Sequence, residues 1–143
     1  MIEEELRKYP VRIDFEVLWG QMDSAKHVNN TIYLRWAESA RIAYFEAMEM
    51  DTSFTGGGVG PILGWLDCKY IFPLTYPDTA LCGAKVIEIR KDRFIMECAI
   101  FSKKNNRIAA ISKQSVVPYS YEKLQKVEMP NEWITQIQSI EKE

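Results

Sequence analysis

The segment Trp19-Gly20-Gln21-Met22-Asp23-Ser24-Ala25-Lys26-His27-Val28-Asn29-Asn30 gathers an aspartate, a lysine, two asparagines and the only histidine of the chain. It runs into a stretch with helical periodicity, so it ends where a helix leaves its first backbone amides unpaired. Those amides, with the helix dipole, favour negative charge. An aspartate beside such amides can act as base or nucleophile while the amides polarise a carbonyl oxygen. The same residue types also cap ordinary turns, and composition alone leaves that bland reading open.

Other chemistries find less support. A single histidine leaves no HExxH motif and no three-ligand metal site. Cys68, Cys82 and Cys98 are odd in number, lack ligand spacing and sit in apolar strand-like runs, so they read as reduced, mostly buried thiols. Ser24 lies beside Asp23 and near His27, but triads draw their members from separate elements and no G-x-S-x-G is present. The run Gly56-Gly57-Gly58 lacks a following Lys-Ser/Thr and a preceding parallel strand, which suits a hinge or cleft lip better than a phosphate loop. No cofactor or metal is therefore expected. A formal charge of −2 gives no general pull toward nucleic acid or an anionic membrane. The N-terminus MIEEELRKYPVR is too charged for a secretory signal, and no run approaches the ~20 apolar residues of a membrane span. A cytoplasmic protein is expected.

The elements that must position the loop follow from periodicity. With 143 residues and 47% hydrophobic content, the chain fits one domain, 1–143, with a sizeable core. Val11, Ile13, Phe15, Val17 and Trp19 alternate with charged residues, which predicts a half-buried strand over Val11–Trp19. A helix over Thr31–Met50 follows, with Tyr33, Trp36, Ala37, Ala40, Ala43, Tyr44, Ala47 and Met48 on its inward arc and Asn29 or Asn30 as N-cap. Four strands are predicted at 61–73, 79–91, 93–104 and 107–119. Lys91-Asp92 and Asn105-Asn106 serve as tight turns, and Pro73 to Asp78 as a polar bend. Short connections imply antiparallel pairing. Pro130 opens a short terminal helix with Ile134, Ile137 and Ile140 in phase. The result is an α+β fold, a curled antiparallel sheet of five or six strands around one long central helix. Leu63, Trp65 and Ile71 beside Leu66 and Tyr70 make both sheet faces partly apolar, and self-association is the simplest cover.

The run Asp23-Ser24-Ala25-Lys26-His27-Val28-Asn29-Asn30-Thr31-Ile32-Tyr33, followed by Trp36-Ala37-Glu38-Ser39-Ala40-Arg41, resembles the signature of hotdog-fold acyl-CoA thioesterases of the 4-hydroxybenzoyl-CoA thioesterase type. Their pattern reads Asp, three residues, His-Val-Asn-Asn, then Tyr and Glu-x-Ala-Arg. Gly60-Pro61-Ile62 through Tyr70, Pro73 and Asp78 resembles the second half of that family, extending the likeness over residues 9–133. The resemblance implies a homodimer or tetramer with sites at the subunit interface and an acyl-CoA or acyl-carrier-protein substrate. It maps the catalytic carboxylate to Asp23 and the amide donor to Asn29 or Asn30. His27, Asn29, Lys26, Tyr33 and Gly60 are expected near substrate. Lys26 stands where the family often has glycine, and a cation there would bind substrate or favour the ionised form of Asp23. Glu38 and Arg41 are spaced for a structural ion pair on the helix. Tyr33, Trp36, Trp65 and Phe72 suggest an apolar cleft, and Lys103, Lys104, Arg107 and Lys113 offer charge for CoA phosphates. The competing readings are a non-catalytic acyl-thioester-binding protein and a hotdog dehydratase or hydratase using Asp23 with His27.

Overall fold

Alternation in Val11–Glu16 produces strand β1, whose odd positions turn inward while Arg12, Asp14 and Glu16 stay exposed. The structure, a computed structural model, describes residues 2–50 and 58–142. The strand is shorter than its alternation predicts. Glu16 pairs with Thr79, the first residue of strand β4 (Thr79–Ile89), so the ladder has no further partner. The Val17 N–H turns instead to the carbonyl of Asp78 at 2.9 Å, and Trp19 enters a 3-10 turn over Trp19–Gln21 with 72% of its surface exposed.

The 3.6-residue period yields helix α2, Asn30–Ala47, with Tyr33, Trp36, Ala37, Ala40, Tyr44 and Phe45 buried. Phe45 is buried and Ala47 exposed, the reverse of the predicted arc, because the buried face follows the sheet rather than an ideal stripe. The helix stops before Met50. Glu49 adopts a left-handed φ of 60°, and its N–H closes on the carbonyl of Glu46 at 2.9 Å.

Among the described residues the sheet has seven antiparallel strands, two of them only two residues long, where five or six were expected. The remaining strands are β2 (Val59–Leu66), β3 (Lys69–Tyr70), β5 (Phe94–Ser102), β6 (Arg107–Ser120) and β7 (Gln125–Lys126). Their order is β1-β4-β5-β6-β2, with β3 and β7 also pairing with β6. The predicted run 61–73 splits into β2 and β3 at Asp67, whose N–H donates to the Lys113 carbonyl and whose carboxylate accepts from the Lys113 N–H at 2.8 Å. Gly56 and Gly57 of the glycine run lie outside the described residues.

Helix α2 lies across β1, β4 and β5. The core beneath it joins Trp36, Ala40 and Tyr44 with Phe94, Met96, Cys98 and Ile100. Helix α3, Asn131–Glu141, adds Trp133 and Ile137 to this core. Its Glu141 accepts hydrogen bonds from the Tyr44 hydroxyl at 2.6 Å and the Val86 N–H at 2.9 Å, giving two buried donors a partner. On the opposite face a short helix not anticipated from the sequence, α1 (Ile2–Leu6), brings Ile2, Leu6 and Tyr9 over Leu81, Ala99 and Phe101. Gly83 permits this, since a Cβ there would fall 2.6 Å from the Tyr9 Cβ. Cys82 and Cys98 are buried and Cys68 half-buried, all as free thiols. Burial pushes the Cys98 thiol up to about 12, leaving it protonated at neutral pH. Among the described residues no helix is long and apolar enough to cross a membrane.

Candidate active site

The acidic loop is a narrow turn closed by its own backbone. Met22 and Val28 form an isolated antiparallel bridge. Within it the Asp23 N–H donates to the His27 carbonyl at 3.0 Å, and the Lys26 N–H donates to the Asp23 carbonyl at 2.9 Å. One Asp23 carboxylate oxygen accepts from the Ala25 N–H at 2.9 Å; the other has no protein partner among the described residues. Val28 anchors the turn, its side chain buried and its N–H bonded to the Leu74 carbonyl at 2.9 Å.

Asn29 caps the helix. Its side-chain oxygen accepts from the Thr31 N–H at 2.9 Å and the Thr31 hydroxyl at 2.8 Å, while its carbonyl takes the Ile32 N–H at 2.9 Å. The N–H of Asn29 itself donates to the Gln21 carbonyl. At this helix start the Asn30 N–H has no acceptor among the described residues, whereas those of Thr31 and Ile32 are both held by Asn29. A first-turn amide left open in this way can donate a hydrogen bond to an anionic or carbonyl oxygen.

Asp23, His27 and Asn30 form the polar end of a cleft of about 320 Å³, and Tyr33, Tyr70 and Phe72 supply an apolar wall. The Tyr70 hydroxyl donates to the Asn30 carbonyl at 3.1 Å, and its ring meets that of Tyr33 edge-on at 5.3 Å. The Tyr33 hydroxyl accepts from the Leu74 N–H at 2.8 Å. Burial raises both phenol pKa values, so both rings are neutral walls at physiological pH. Among the described residues no cluster of three His, Cys, Asp or Glu side chains is placed to hold a metal.

Of the residues expected near substrate, Asp23, His27, Asn30 and Tyr33 line the cleft. Asn29 serves as the cap, and Lys26 sits exposed on the turn without an ion pair among the described residues. Gly60 lies on β2 opposite Tyr119, away from this cleft. Trp36 is core and Trp65 lies on the open sheet face, so neither is cleft wall, whereas Phe72 is. Tyr70 was not singled out for the site; a tyrosine shortly before Pro73, where the strand must end, was the available signal. Glu38 and Arg41 pair at 3.9 Å, and Arg41 also donates to the Gln114 side chain at 2.9 Å, tying α2 to β6.

Lys26 has a φ of 64°, which explains why glycine is natural there. Replacing it by glycine is expected to stabilise the fold by up to ~1 kcal/mol, relief of left-handed strain exceeding the added unfolded-state entropy. The check is the urea midpoint at constant m-value; a lowered midpoint refutes it.

A curled antiparallel sheet around one long helix, with a carboxylate loop at that helix's N-terminus, defines a hotdog-fold protein. Residues 17–137 match the Thioesterase-like superfamily, and the chain belongs to that family. Comparison with curated proteins finds no match. Among solved structures, a thioesterase from Thermus thermophilus complexed with coenzyme A and Zn is similar at 24% identity and TM-score 0.82, covering 95% of this chain and 98% of that one. A 1,4-dihydroxy-2-naphthoyl-CoA thioesterase from Synechocystis matches at 16% identity and TM-score 0.79, over 89% and 94% of the two chains. A DHNA-CoA thioesterase from Staphylococcus aureus matches at 15% identity and TM-score 0.79, over 92% and 93%. At these identities the likeness is one of fold.

Proposed function

We propose that the chain is an acyl-CoA or acyl-carrier-protein thioesterase, of the 4-hydroxybenzoyl-CoA thioesterase type. The observation that carries this reading is the pairing, in one cleft, of the Asp23 carboxylate with the acceptor-free Asn30 amide. The thioester carbonyl points its oxygen at the Asn30 N–H. Asp23 either attacks the carbonyl carbon, giving an anhydride that water opens, or takes a proton from the attacking water. In both routes one water is consumed, the C–S bond breaks and the thiolate leaves, to be protonated as thiol. His27 orients the loop or the substrate, and Tyr33 shapes the acyl wall. The hydratase alternative needs proton transfer shared by Asp23 and His27, and no side-chain hydrogen bond joins them among the described residues. The test is thiol release over a panel of acyl-CoAs with aliphatic and aromatic acyl groups. Absence of release from every member and from acyl-carrier-protein removes the hydrolase reading and leaves the acyl-binding one.

The same reading includes a homodimer or tetramer. Strand β2 ends the sheet, and Val59, Ile62, Leu63, Trp65 and Leu66 are all exposed along it. An apolar open edge of this kind favours pairing with a second copy. Gly60 lies on this edge strand, so in such a dimer it would stand at the subunit interface, where the family resemblance expects substrate. Sedimentation at micromolar concentration is expected to show a dimer or larger species, and a monomer defeats the claim.

A further inference from the structure

Asn30 offers the open amide of the cleft, yet its own side chain is exposed and makes no hydrogen bond among the described residues. Its position is set through its two peptide planes. The plane carrying the Asn30 N–H is held by the Asn29 carbonyl, which accepts from the Ile32 N–H at 2.9 Å. The next plane is held at both ends: the Thr31 N–H donates to the Asn29 side chain at 2.9 Å, and the Asn30 carbonyl accepts from the Tyr70 hydroxyl at 3.1 Å. Among the groups holding these planes, Tyr70 alone comes from another element of the fold.

Tyr70 itself has a fixed base. Strand β3 pairs with β6, Lys69 facing Ile111 and Tyr70 facing Ala110, and the Ile71 N–H continues onto the Ala109 carbonyl at 2.8 Å. The same segment returns to the loop at Leu74, whose carbonyl accepts from the Val28 N–H at 2.9 Å and whose N–H donates to the Tyr33 hydroxyl at 2.8 Å. Residues 70–74 thus grip residues 28–33 through three hydrogen bonds, and the one from Tyr70 falls on Asn30 itself. A helical carbonyl has a second lone pair beyond the one its own ladder uses, so Tyr70 adds restraint without competing with the helix. Restraint matters at this point, because a donor stabilises developing charge only when it is held where that charge appears.

We propose that Tyr70 is a positioning residue for the reaction at Asp23: by holding the Asn30 carbonyl, its hydroxyl fixes the Asn30 N–H against the thioester oxygen. The proposal rests on the thioesterase reading and adds to it a residue that supplies no acid, base or nucleophile.

Tyr70→Phe deletes the hydroxyl and keeps the ring that meets Tyr33 edge-on. It is expected to lower kcat by about 3- to 10-fold, the reach of one neutral hydrogen bond, with KM within about two-fold of wild type. The factor should be the same for every acyl group accepted, since the restraint acts on the donor. A loss that lies in KM and varies with the acyl group would make Tyr70 a wall contact and overturn the proposal, as would unchanged kcat. A double-mutant cycle with Asn30→Pro tests the route of the effect. Where no N–H remains to be positioned, Tyr70→Phe should change kcat by less than about two-fold, and an equal factor in both backgrounds overturns the proposal. Wild-type kcat in Asn30→Pro alone removes the donor and the proposal with it. Amide hydrogen exchange at Thr31 and Ile32 needs no turnover, and Tyr70→Phe is expected to speed it by about 3- to 10-fold. If wild type hydrolyses no thioester while these amides loosen, the thioesterase reading falls and the hold of Tyr70 on the helix start stands. Unchanged exchange overturns the proposal whether or not the protein turns over.

Discussion

Asp23→Asn is expected to lower kcat by ~10²–10⁴ while leaving the fold intact, the range associated with loss of a positioned acid–base group. The asparagine keeps an oxygen that can accept the Ala25 N–H, the hydrogen bond Asp23 makes within its turn. Asp23 is exposed, so its replacement opens no cavity and leaves no buried charge unpaired. The variant therefore separates chemistry from stability. Thermal unfolding should be near wild type while thiol release collapses, and Asp23→Ala should behave alike. Wild-type turnover by the asparagine variant on every active substrate would show that Asp23 is not the catalytic carboxylate. Single-turnover hydrolysis in isotopically labelled water then distinguishes the two routes. Label entering the Asp23 carboxylate marks a nucleophile whose anhydride is opened at the Asp23 carbon, whereas label entering only the product acid fits either a base or an anhydride opened at the acyl carbon, and trapping of a covalent acyl-enzyme separates those two.

The second large effect is expected from proline at Asn30. Removing one oxyanion donor typically lowers kcat by ~10²–10³, and Asn30→Pro deletes the amide that lacks an acceptor. Proline fits there. Asn30 is the first helical residue, and the preceding Asn29 already has φ −59° and ψ 140°, a conformation suited to a residue before proline. Thr31→Pro is the contrasting variant. Its N–H is already held by the Asn29 cap, and proline there would follow a helical residue, so about 1 kcal/mol or more of stability should be lost. Its kcat should stay within a few-fold of wild type. Steady-state kinetics beside thermal melts read both outcomes. A folded Asn30→Pro enzyme with wild-type kcat would place the oxyanion donor elsewhere.

Most of the scaffold was legible from the residues in order. Alternation over Val11–Glu16 and the 3.6-residue recurrence of Tyr33, Trp36, Ala37, Ala40 and Tyr44 record which side chains face a core, because burial on one face selects apolar types at the period of the backbone. Turn chemistry at Lys91-Asp92 and Asn105-Asn106 separated the later strands, and the loop from Asp23 to Asn30 announced a carboxylate beside a helix start. These are local signals. The points that were misread or missed depend on partners distant in the chain. Trp19 leaves the strand because β4 begins opposite Glu16, and Asp67 divides one apolar run because it bonds to Lys113. Helix α1 exists as cover for Leu81 and Phe101, a requirement invisible near Ile2. Which amide stays open at the helix start depends on the Asn29 side chain choosing Thr31 and on Gln21 accepting the Asn29 N–H. Arg107 meets Phe72 only because β3 pairs with β6, Lys69 facing Ile111. Side-chain type and period determine the elements and nominate Asp23. The register of β3 on β6 and the competition among backbone acceptors decide which groups face the cleft and remain free, because long-range hydrogen bonding is settled only when the whole sheet closes.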